Sequence, residues 1–162
     1  LYGHWITVNY RESFGIHASN GILFNHESPL RGVEFVTRKV THGAAQIKLG
    51  MTEKLMLGNI DVKRDWGHAR DYVRAMWLML QQDVPKDYIV CSGESISLRE
   101  IVEYVFEKLG IDKRKILKDK SFFRPNDIKN IYGDNKKAKK ELGWKYDKSF
   151  FEVLDILINK IE

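Results

Sequence analysis

Residues 16–29, which have the sequence IHASNGILFNHESP, contain the clearest indication of the fold class. We interpret residues 16–24 as a buried β-strand, and a polar run from Asn25 to Pro29 follows it directly. In open α/β sheets, ligands bind beyond the carboxyl ends of the strands. The polar run is therefore a candidate ligand-contact segment, and a plain surface loop is the equally simple alternative.

Helical and strand patterns alternate along the rest of the chain. Apolar residues at helical spacing predict helices over residues 1–12, 35–49, 71–80, 97–109, 135–142 and 149–161. Short apolar segments at residues 54–58 and 87–91 predict strands, and residues 59–66 form a polar connection. Two helices begin with a capping box, in which Ser is followed three residues later by Glu. This alternation predicts an α/β fold.

The helix near residue 71 carries two specific expectations. Asp71 is a residue type that caps helix N-termini, so we expect it to cap this one. The buried face is expected to consist of Val73, Met76, Trp77 and Leu80.

Composition excludes several classes of protein. The 162 residues include 27 Lys and Arg against 22 Asp and Glu, a formal net charge of +5, and a single cysteine. One cysteine excludes a disulfide scaffold, and five scattered histidines make a metal site unexpected. No apolar run approaches the roughly 18 residues of a membrane span. We expect a cytoplasmic protein with no membrane partner, and a buried, inert Cys91 within its apolar strand.

Basic residues cluster in loops and at the ends of elements. The set comprises Arg31, Arg38, Lys39, Lys63, Arg64 and Arg124. Arginine suits bidentate recognition of phosphate oxygens, so several of these side chains could converge on a diphosphate. We interpret Asp65 as an ion-pair partner that orients Arg64. The chain contains no G-x-G-x-x-G phosphate loop.

A nucleic-acid partner is the competing explanation for the basic charge. Trp66, Phe122 and Phe123 could stack on bases. The net charge is modest, however, and the chain has no RNP-type or helix-turn-helix pattern. We therefore expect no nucleic-acid partner, and a salt-dependent binding assay would expose one.

Six motifs together resemble the GDP-mannose 4,6-dehydratase family of extended short-chain dehydrogenases. They are NGILFNHESP (residues 20–29), FVTRK (35–39), LGN (57–59), KRDWGHA (63–69), FRPND (123–127) and KKELGW (139–144). The resemblance implies a modified Rossmann fold with a small sugar-nucleotide-binding lobe. It also implies NADP as cofactor, GDP-mannose as substrate, GDP-4-keto-6-deoxymannose and water as products, and a homodimer or homotetramer.

The resemblance implies roles for individual residues. Contacts to NADP are implied for His26 and Arg31. Contacts to the sugar nucleotide are implied for Asn25, Lys39, Gly58, Asn59, Arg64, Arg124 and Asp127. Asp127 stands where the family usually carries Glu, which contacts the ribose hydroxyls. The resemblance places no catalytic residue in this chain, and the scattered histidines already make a metal ligand unexpected.

The start of the chain and the resemblance together set expectations for domain organisation. Leu1, Trp5 and Val8 form a helical stripe without a preceding cap, so we expect the C-terminal part of a longer protein. Residues 1–28 are then a remnant of the NADP-binding Rossmann domain. Residues 29–162 are mainly the substrate-binding lobe, with strands near 54–58 and 87–91 returning to the sheet. The alternatives are a related GDP-sugar reductase, another nucleotide-sugar dehydratase or epimerase, and a non-catalytic nucleotide-binding domain.

Overall fold

The computed structural model describes residues 1–160, in which six α-helices alternate with short strands. The helices are α1 (Tyr2–Phe14), α2 (Val36–Lys48), α3 (Ala69–Met79), α4 (Leu98–Leu109), α5 (Lys136–Leu142) and α6 (Phe150–Ile158). The strands are β1 (Gly21–Leu23), β2 (Asn25–Glu27), β3 (Leu55–Leu57), β4 (Lys63–Arg64), β5 (Trp66–His68), β6 (Tyr88–Val90), β7 (Ile96–Ser97), β8 (Ile116–Lys118) and β9 (Asn130–Ile131). The expected helical residue Ile161 lies outside the described residues.

Parallel pairing dominates the sheets. β1 pairs with β6, β2 with β5 and β3 with β8, all in parallel. β4 lies between β7, which is antiparallel to it, and β9, which is parallel. Parallel neighbours need a crossover connection, and helices supply it here, as α2 does between β2 and β5. The predicted α/β class is confirmed.

The strand predicted at residues 16–24 is shorter than expected. Only Gly21–Leu23 forms β1. The carbonyl oxygen of Asn20 accepts from the backbone N–H of Tyr88 (2.9 Å), but the N–H of Asn20 donates to the Asp87 carboxylate (2.9 Å), so the strand begins after this residue. The polar run that follows is not a loop at its start, since Asn25–Glu27 forms β2. The strand predicted near 54–58 is present as β3, and it pairs with β8 and not with β1 or β6.

The segment at residues 59–66, expected to be a polar connection, contains β4 and the first residue of β5. Strands of two or three residues leave almost no alternation for sequence analysis to detect. Their existence depends on pairing with β7, β9 and β2, which lie far away in the chain.

Helix α3 begins earlier than predicted, and it buries a different face. His68 is the N-cap residue, and Asp71 lies in the first turn with a carboxylate oxygen 3.2 Å from His68 Nδ1. The buried residues are Tyr72, Ala75 and Met79, whereas the predicted face of Val73, Met76, Trp77 and Leu80 is exposed. Both faces are apolar, so periodicity could not decide between them.

Two hydrophobic clusters support the fold. The first packs α2, α4 and α6 together over β3, around Val40, Ile101, Val105 and Leu154. The second lies between α3, β6 and α5 and contains Tyr72, Tyr88, Val90, Leu142 and Trp144. Capping boxes at Ser97 and Ser149 begin α4 and α6, as predicted.

Helix α1 contributes no buried residue over Tyr2–Phe14. Leu1 and Trp5 of the predicted stripe are 97% and 61% exposed, and Ile22 of β1 is also exposed. The helix ends at Gly15, whose φ of 64° suits glycine. An ion pair ties the helix to the sheet, with Arg11 Nη1 2.7 Å from Asp87 Oδ1.

Changing Asp87 to Asn is expected to reduce stability in a pH-dependent manner. Hydrogen bonding from Arg11 holds the pKa of Asp87 at about 2, below its ordinary value of 3.8. A lowered pKa stabilises the folded state above pH 3.8, and this contribution is lost as the pH falls towards 2. Partial exposure limits the contribution to about 1–2 kcal/mol. Urea unfolding from pH 3 to pH 6 should show the variant converging on the wild type at acid pH. A constant difference across this range would contradict the assignment.

Within residues 1–160, no helix has the length and apolar character needed to cross a bilayer. The same part of the chain contains no group of three or more His, Cys, Asp or Glu side chains placed to hold a metal ion. Cys91 is fully buried, and burial raises its pKa to about 12, so this thiol is a poor nucleophile.

Candidate functional site

A cavity of about 220 Å³ brings together most of the residues predicted to bind a sugar nucleotide. Its polar lining consists of Asn25, Gly58, Asn59, Arg64, Arg124 and Asp127, six of the seven predicted residues. Asn25 comes from β2 and Arg64 from β4, while the others lie on connections after β3 and before β9. Asn25, Asn59 and Arg64 meet at this cavity, and Arg124 lines it with them.

The remaining lining is apolar, and no sequence pattern marks it as a wall of this site. It consists of Val36, Val62, Trp66, Leu98 and Phe122. The indole of Trp66 stacks on Phe150 with ring centroids 5.6 Å apart, so the back of the cavity is rigid. Flat apolar walls beside a few polar groups are typical of small-molecule sites.

Arg64 is held in one orientation by three acceptors. Its Nη1 donates to the carbonyl oxygens of Lys63 (2.7 Å) and Ile128 (2.6 Å). Its Nη2 donates to Asp127 Oδ1 at 2.7 Å. The side chain is only 17% exposed, so the guanidinium has little freedom to move. Its two remaining N–H groups are available to a ligand.

The carboxylate that orients Arg64 is therefore Asp127 and not Asp65, which corrects the expectation from sequence. Asp65 follows Arg64 directly and points to the other side, as alternation along an extended chain requires. Its buried carboxylate accepts hydrogen bonds from Ser92 N (2.7 Å), Ser92 Oγ (2.8 Å) and Gly93 N (2.9 Å). Asp65 thus fixes the loop after β6, behind the cavity.

Residues 120–124 close over the cavity at Gly58. A Cβ atom added to Gly58 would lie 2.7 Å from the carbonyl oxygen of Phe122, so only glycine permits this approach. Lys39 does not line the cavity. Its Nζ lies 4.9 Å from the centroid of the Phe122 ring, which places the lysine beside the wall of the cavity.

His26 and Arg31 form a second group that does not line this cavity. Adjacent side chains of β2 point to opposite faces, so His26 turns away from Asn25. His26 Nδ1 lies 2.8 Å from the carbonyl oxygen of Phe24 and must donate to it, which leaves Nε2 as an acceptor. The Arg31 guanidinium donates to the carbonyl oxygen of His26 (2.7 Å) and lies 4.0 Å from the Phe35 ring centroid.

The carboxylate of Glu27 forms an ion pair with the Arg31 guanidinium. This carboxylate is buried, and its Oε2 lies 3.3 Å from Arg31 Nε. Burial raises the pKa of Glu27, although Thr37 and Arg31 oppose the shift. Glu27 is in the quoted polar run, but no sequence pattern indicates its pairing with Arg31, because that pairing depends on the fold of the turn.

Comparison with protein families and curated proteins gives matches along nearly the whole chain. The family model described as GDP-mannose 4,6 dehydratase matches residues 1–157. The chain is 51% identical to a GDP-mannose 4,6-dehydratase of Sinorhizobium fredii, over 92% of this chain and 48% of that protein. It is 50% identical to GDP-mannose 4,6 dehydratase 1 of Arabidopsis thaliana, over 97% of this chain and 44% of that protein. The chain spans about half the length of these relatives.

Solved structures share the fold. A structure of RMD from Pseudomonas aeruginosa complexed with NADPH superposes with a TM-score of 0.85 at 22% identity, covering 96% of this chain and 51% of that one. A structure of UDP-glucose 4-epimerase from Thermotoga maritima with UDP-glucose superposes with a TM-score of 0.79 at 20% identity. The match covers 98% of this chain and 50% of that one. These likenesses confirm the expected extended short-chain dehydrogenase fold. The match to the family model over residues 1–157 shows that the chain belongs to the GDP-mannose 4,6-dehydratase family.

Proposed function

We propose that the cavity bounded by β2, β4 and residues 122–127 binds the GDP moiety of GDP-mannose. The observation that carries the proposal is the presence of Arg64 and Arg124 on one cavity with two asparagines and a flat apolar wall. Arg64 offers two fixed N–H groups on neighbouring nitrogens, which suits phosphate oxygens. Asn25, Asn59 and Asp127 complete the polar lining, and Lys39 lies beside the cavity against the Phe122 ring.

The chain then supplies the substrate-binding part of a GDP-mannose 4,6-dehydratase. That enzyme converts GDP-mannose to GDP-4-keto-6-deoxymannose and water. Residues 1–28 belong in this proposal to the NADP-binding Rossmann domain, and residues 29–162 belong mainly to the substrate-binding lobe. We propose a cytoplasmic homo-oligomer, since exposed apolar residues on α1 and α3 form the kind of surface that proteins bury in contacts.

NADP is the proposed cofactor, and it supplies the acceptor and donor of hydride when bound. His26 and Arg31 fit a contact with it. The Arg31 guanidinium is fixed by Glu27 and by the carbonyl oxygen of His26, and its Nη2 is left to meet a phosphate. His26 Nε2 can accept a hydrogen bond from a hydroxyl or an amide.

Titration calorimetry of the 162-residue chain with GDP tests the proposal. We expect a single GDP site and at least tenfold weaker binding of guanosine, because a charged hydrogen bond to phosphate contributes about 1.5–3 kcal/mol. Equal affinity for GDP and guanosine would contradict the diphosphate site. Tight, strongly salt-dependent binding of a single-stranded oligonucleotide would favour the nucleic-acid alternative instead.

A further inference from the structure

We propose that one face of α3 is a self-complementary surface through which a second copy of this chain docks, with the two helices antiparallel about a two-fold axis at Trp77. The inference rests on the proposed homo-oligomer, to which it gives a defined interface. It does not involve the nucleotide cavity.

A groove of about 780 Å³ lies between α3 and α6. Its apolar lining consists of Val73 and Trp77 of α3 and Ile156 of α6. Val73 and Trp77 are 60% and 57% exposed, so the groove is open among the described residues 1–160. Exposed apolar surface of this kind is typical of an interaction site.

The other end of α3 carries an apolar ridge. Leu80 is the C-cap residue of the helix and Val84 lies in the bend that follows it, and both side chains are exposed. Trp77 lies between the groove and this ridge. A two-fold axis at Trp77 therefore brings the partner's Leu80 and the partner's Val84 to the groove beside Val73. The same operation forms an identical second contact, as in any isologous dimer.

Unpaired cations surround the groove. Arg70 and Arg74 lie one turn apart on α3, and Lys148 lines the groove from the segment before α6. None of the three makes an ion pair within residues 1–160. The one carboxylate among the lining residues belongs to Asp71, and it already contacts His68 Nδ1 at 3.2 Å. The groove therefore favours a partner surface that carries negative charge.

The matching negative charge lies at the opposite end of the same helix. Asp83 is exposed in the bend after α3, and it makes no ion pair with the described part of the chain. A cation near the N-terminus of a helix and an anion near its C-terminus both oppose the dipole of that helix. In the antiparallel pair, Arg70 faces the C-terminal end of the other helix, and the partner's Asp83 faces the arginines. Both charges then become favourable, whereas parallel docking would place arginines against arginines.

Sedimentation equilibrium of the 162-residue chain tests the interface. The contact involves one helix and part of a second, so we expect a weak dimer whose population rises with protein concentration. Trp77→Ala should raise the dissociation constant at least about tenfold, because aromatic side chains at the centre of an interface dominate its affinity. Arg70→Glu combined with Arg74→Glu should have a similar effect through repulsion by the partner's Asp83.

Arg114→Glu combined with Lys115→Glu is the matched control. Both side chains are exposed and lie outside the groove, and the net charge changes by the same amount as in the arginine pair on α3. We expect its dissociation constant to match that of the wild type within about twofold. Because every replaced side chain is exposed, all variants should keep the circular dichroism spectrum of the wild type.

Mixing two variants tests the antiparallel arrangement. Asp83→Lys alone should raise the dissociation constant about tenfold, because the introduced cation faces the arginines of the partner. A mixture of this variant with Arg70→Glu, Arg74→Glu should form a heterodimer, since each end of the interface then pairs opposite charges. An interface elsewhere, such as the exposed face of α1, would not recover in this way.

The failure of the inference differs from the failure of the proposed function. Association that persists in Trp77→Ala, or a mixture that associates no better than its two components, overturns the inference and leaves the homo-oligomer in place. Equal losses in the Arg114→Glu, Lys115→Glu control overturn it too, since overall charge would then explain the effect. A wild type that stays monomeric at every concentration overturns both the inference and the homo-oligomer. Binding of GDP by the same preparation is a separate measurement, and it decides the nucleotide site alone.

Discussion

Replacing Arg64 with Ala is expected to lower the affinity of the chain for GDP by about ten- to hundredfold. The change removes a fixed cation from the cavity, and a charged hydrogen bond to phosphate contributes about 1.5–3 kcal/mol. It also leaves the carboxylate of Asp127 without its partner beside the diphosphate, which adds repulsion to the lost attraction. Titration calorimetry with GDP measures the effect.

Arg114→Ala is the matched control for Arg64→Ala. The Arg114 side chain is 91% exposed, pairs with Asp112 and lies outside the cavity, so its removal changes the net charge by the same amount. We expect its GDP affinity to match the wild type within about twofold. Similar losses in the two variants would mean that GDP responds to overall charge and not to a specific site. In a protein that also binds NADP, Arg64→Ala should leave NADP affinity nearly unchanged.

Local signals in the sequence predicted the elements that depend on local interactions. The boxes at Ser97 and Ser149 fix the start of α4 and α6, because each serine and the glutamate three residues later satisfy one another's backbone groups. Gly15 and Gly110 end helices with positive φ for an equally local reason. Such contacts lie within a few residues, so the pattern and the structure agree.

Elements that depend on distant partners could not be predicted in the same way. β4 has two residues and exists because it pairs with β7 and β9, more than 30 positions away. The buried face of α3 was assigned wrongly because Tyr72, whose hydroxyl suits a surface as well as a core, is buried against Trp144 and Tyr146. The residues that neighbour Tyr72 in the sequence do not indicate that Trp144 and Tyr146 pack on it.

In the candidate site, too, local motifs predicted some features, whereas features that depend on distant residues were missed. Motif resemblance identified six of its polar residues, because each stands in a short run that can be read from the sequence. The ion pair between Arg64 and Asp127 spans 63 positions, and sequence proximity suggested Asp65 instead. The apolar wall of Val36, Val62 and Leu98 was missed because these residues look like ordinary core positions.

The second large effect expected is the absence of turnover by the 162-residue chain when GDP-mannose and NADP are added. The proposed reaction requires a bound cofactor, and a dinucleotide pyrophosphate is typically held by a Gly-rich turn at a helix N-terminus. None of the twelve glycines of this chain forms such a turn. Arg31 and His26 supply only single contacts, so NADP affinity should be low.

Within residues 1–160, no Tyr and Lys pair is placed to perform the chemistry. Tyr104 and Lys108 share α4, but both contact the carboxylate of Asp155, and Tyr104 packs on Phe151 of α6, away from the cavity. Tyr132 and Lys136 have the same spacing, but they lie on either side of the start of α5 and do not share a helix. Neither tyrosine is held beside the proposed ligand.

Chromatographic measurement of GDP-mannose consumption checks this expectation, with GDP binding by the same preparation as proof that the chain is folded. We expect no 4-keto-6-deoxy product above the level of a protein-free control. Because α1 and β1 expose apolar residues, light scattering should accompany the assay to show how much of the sample self-associates. Clear product formation would mean that residues within this chain perform the elimination and hold the cofactor. Tyr104→Phe and Tyr132→Phe would then be the first variants to assay. A tyrosine hydroxyl that reaches the ligand after a change in conformation would be the simplest source of the activity.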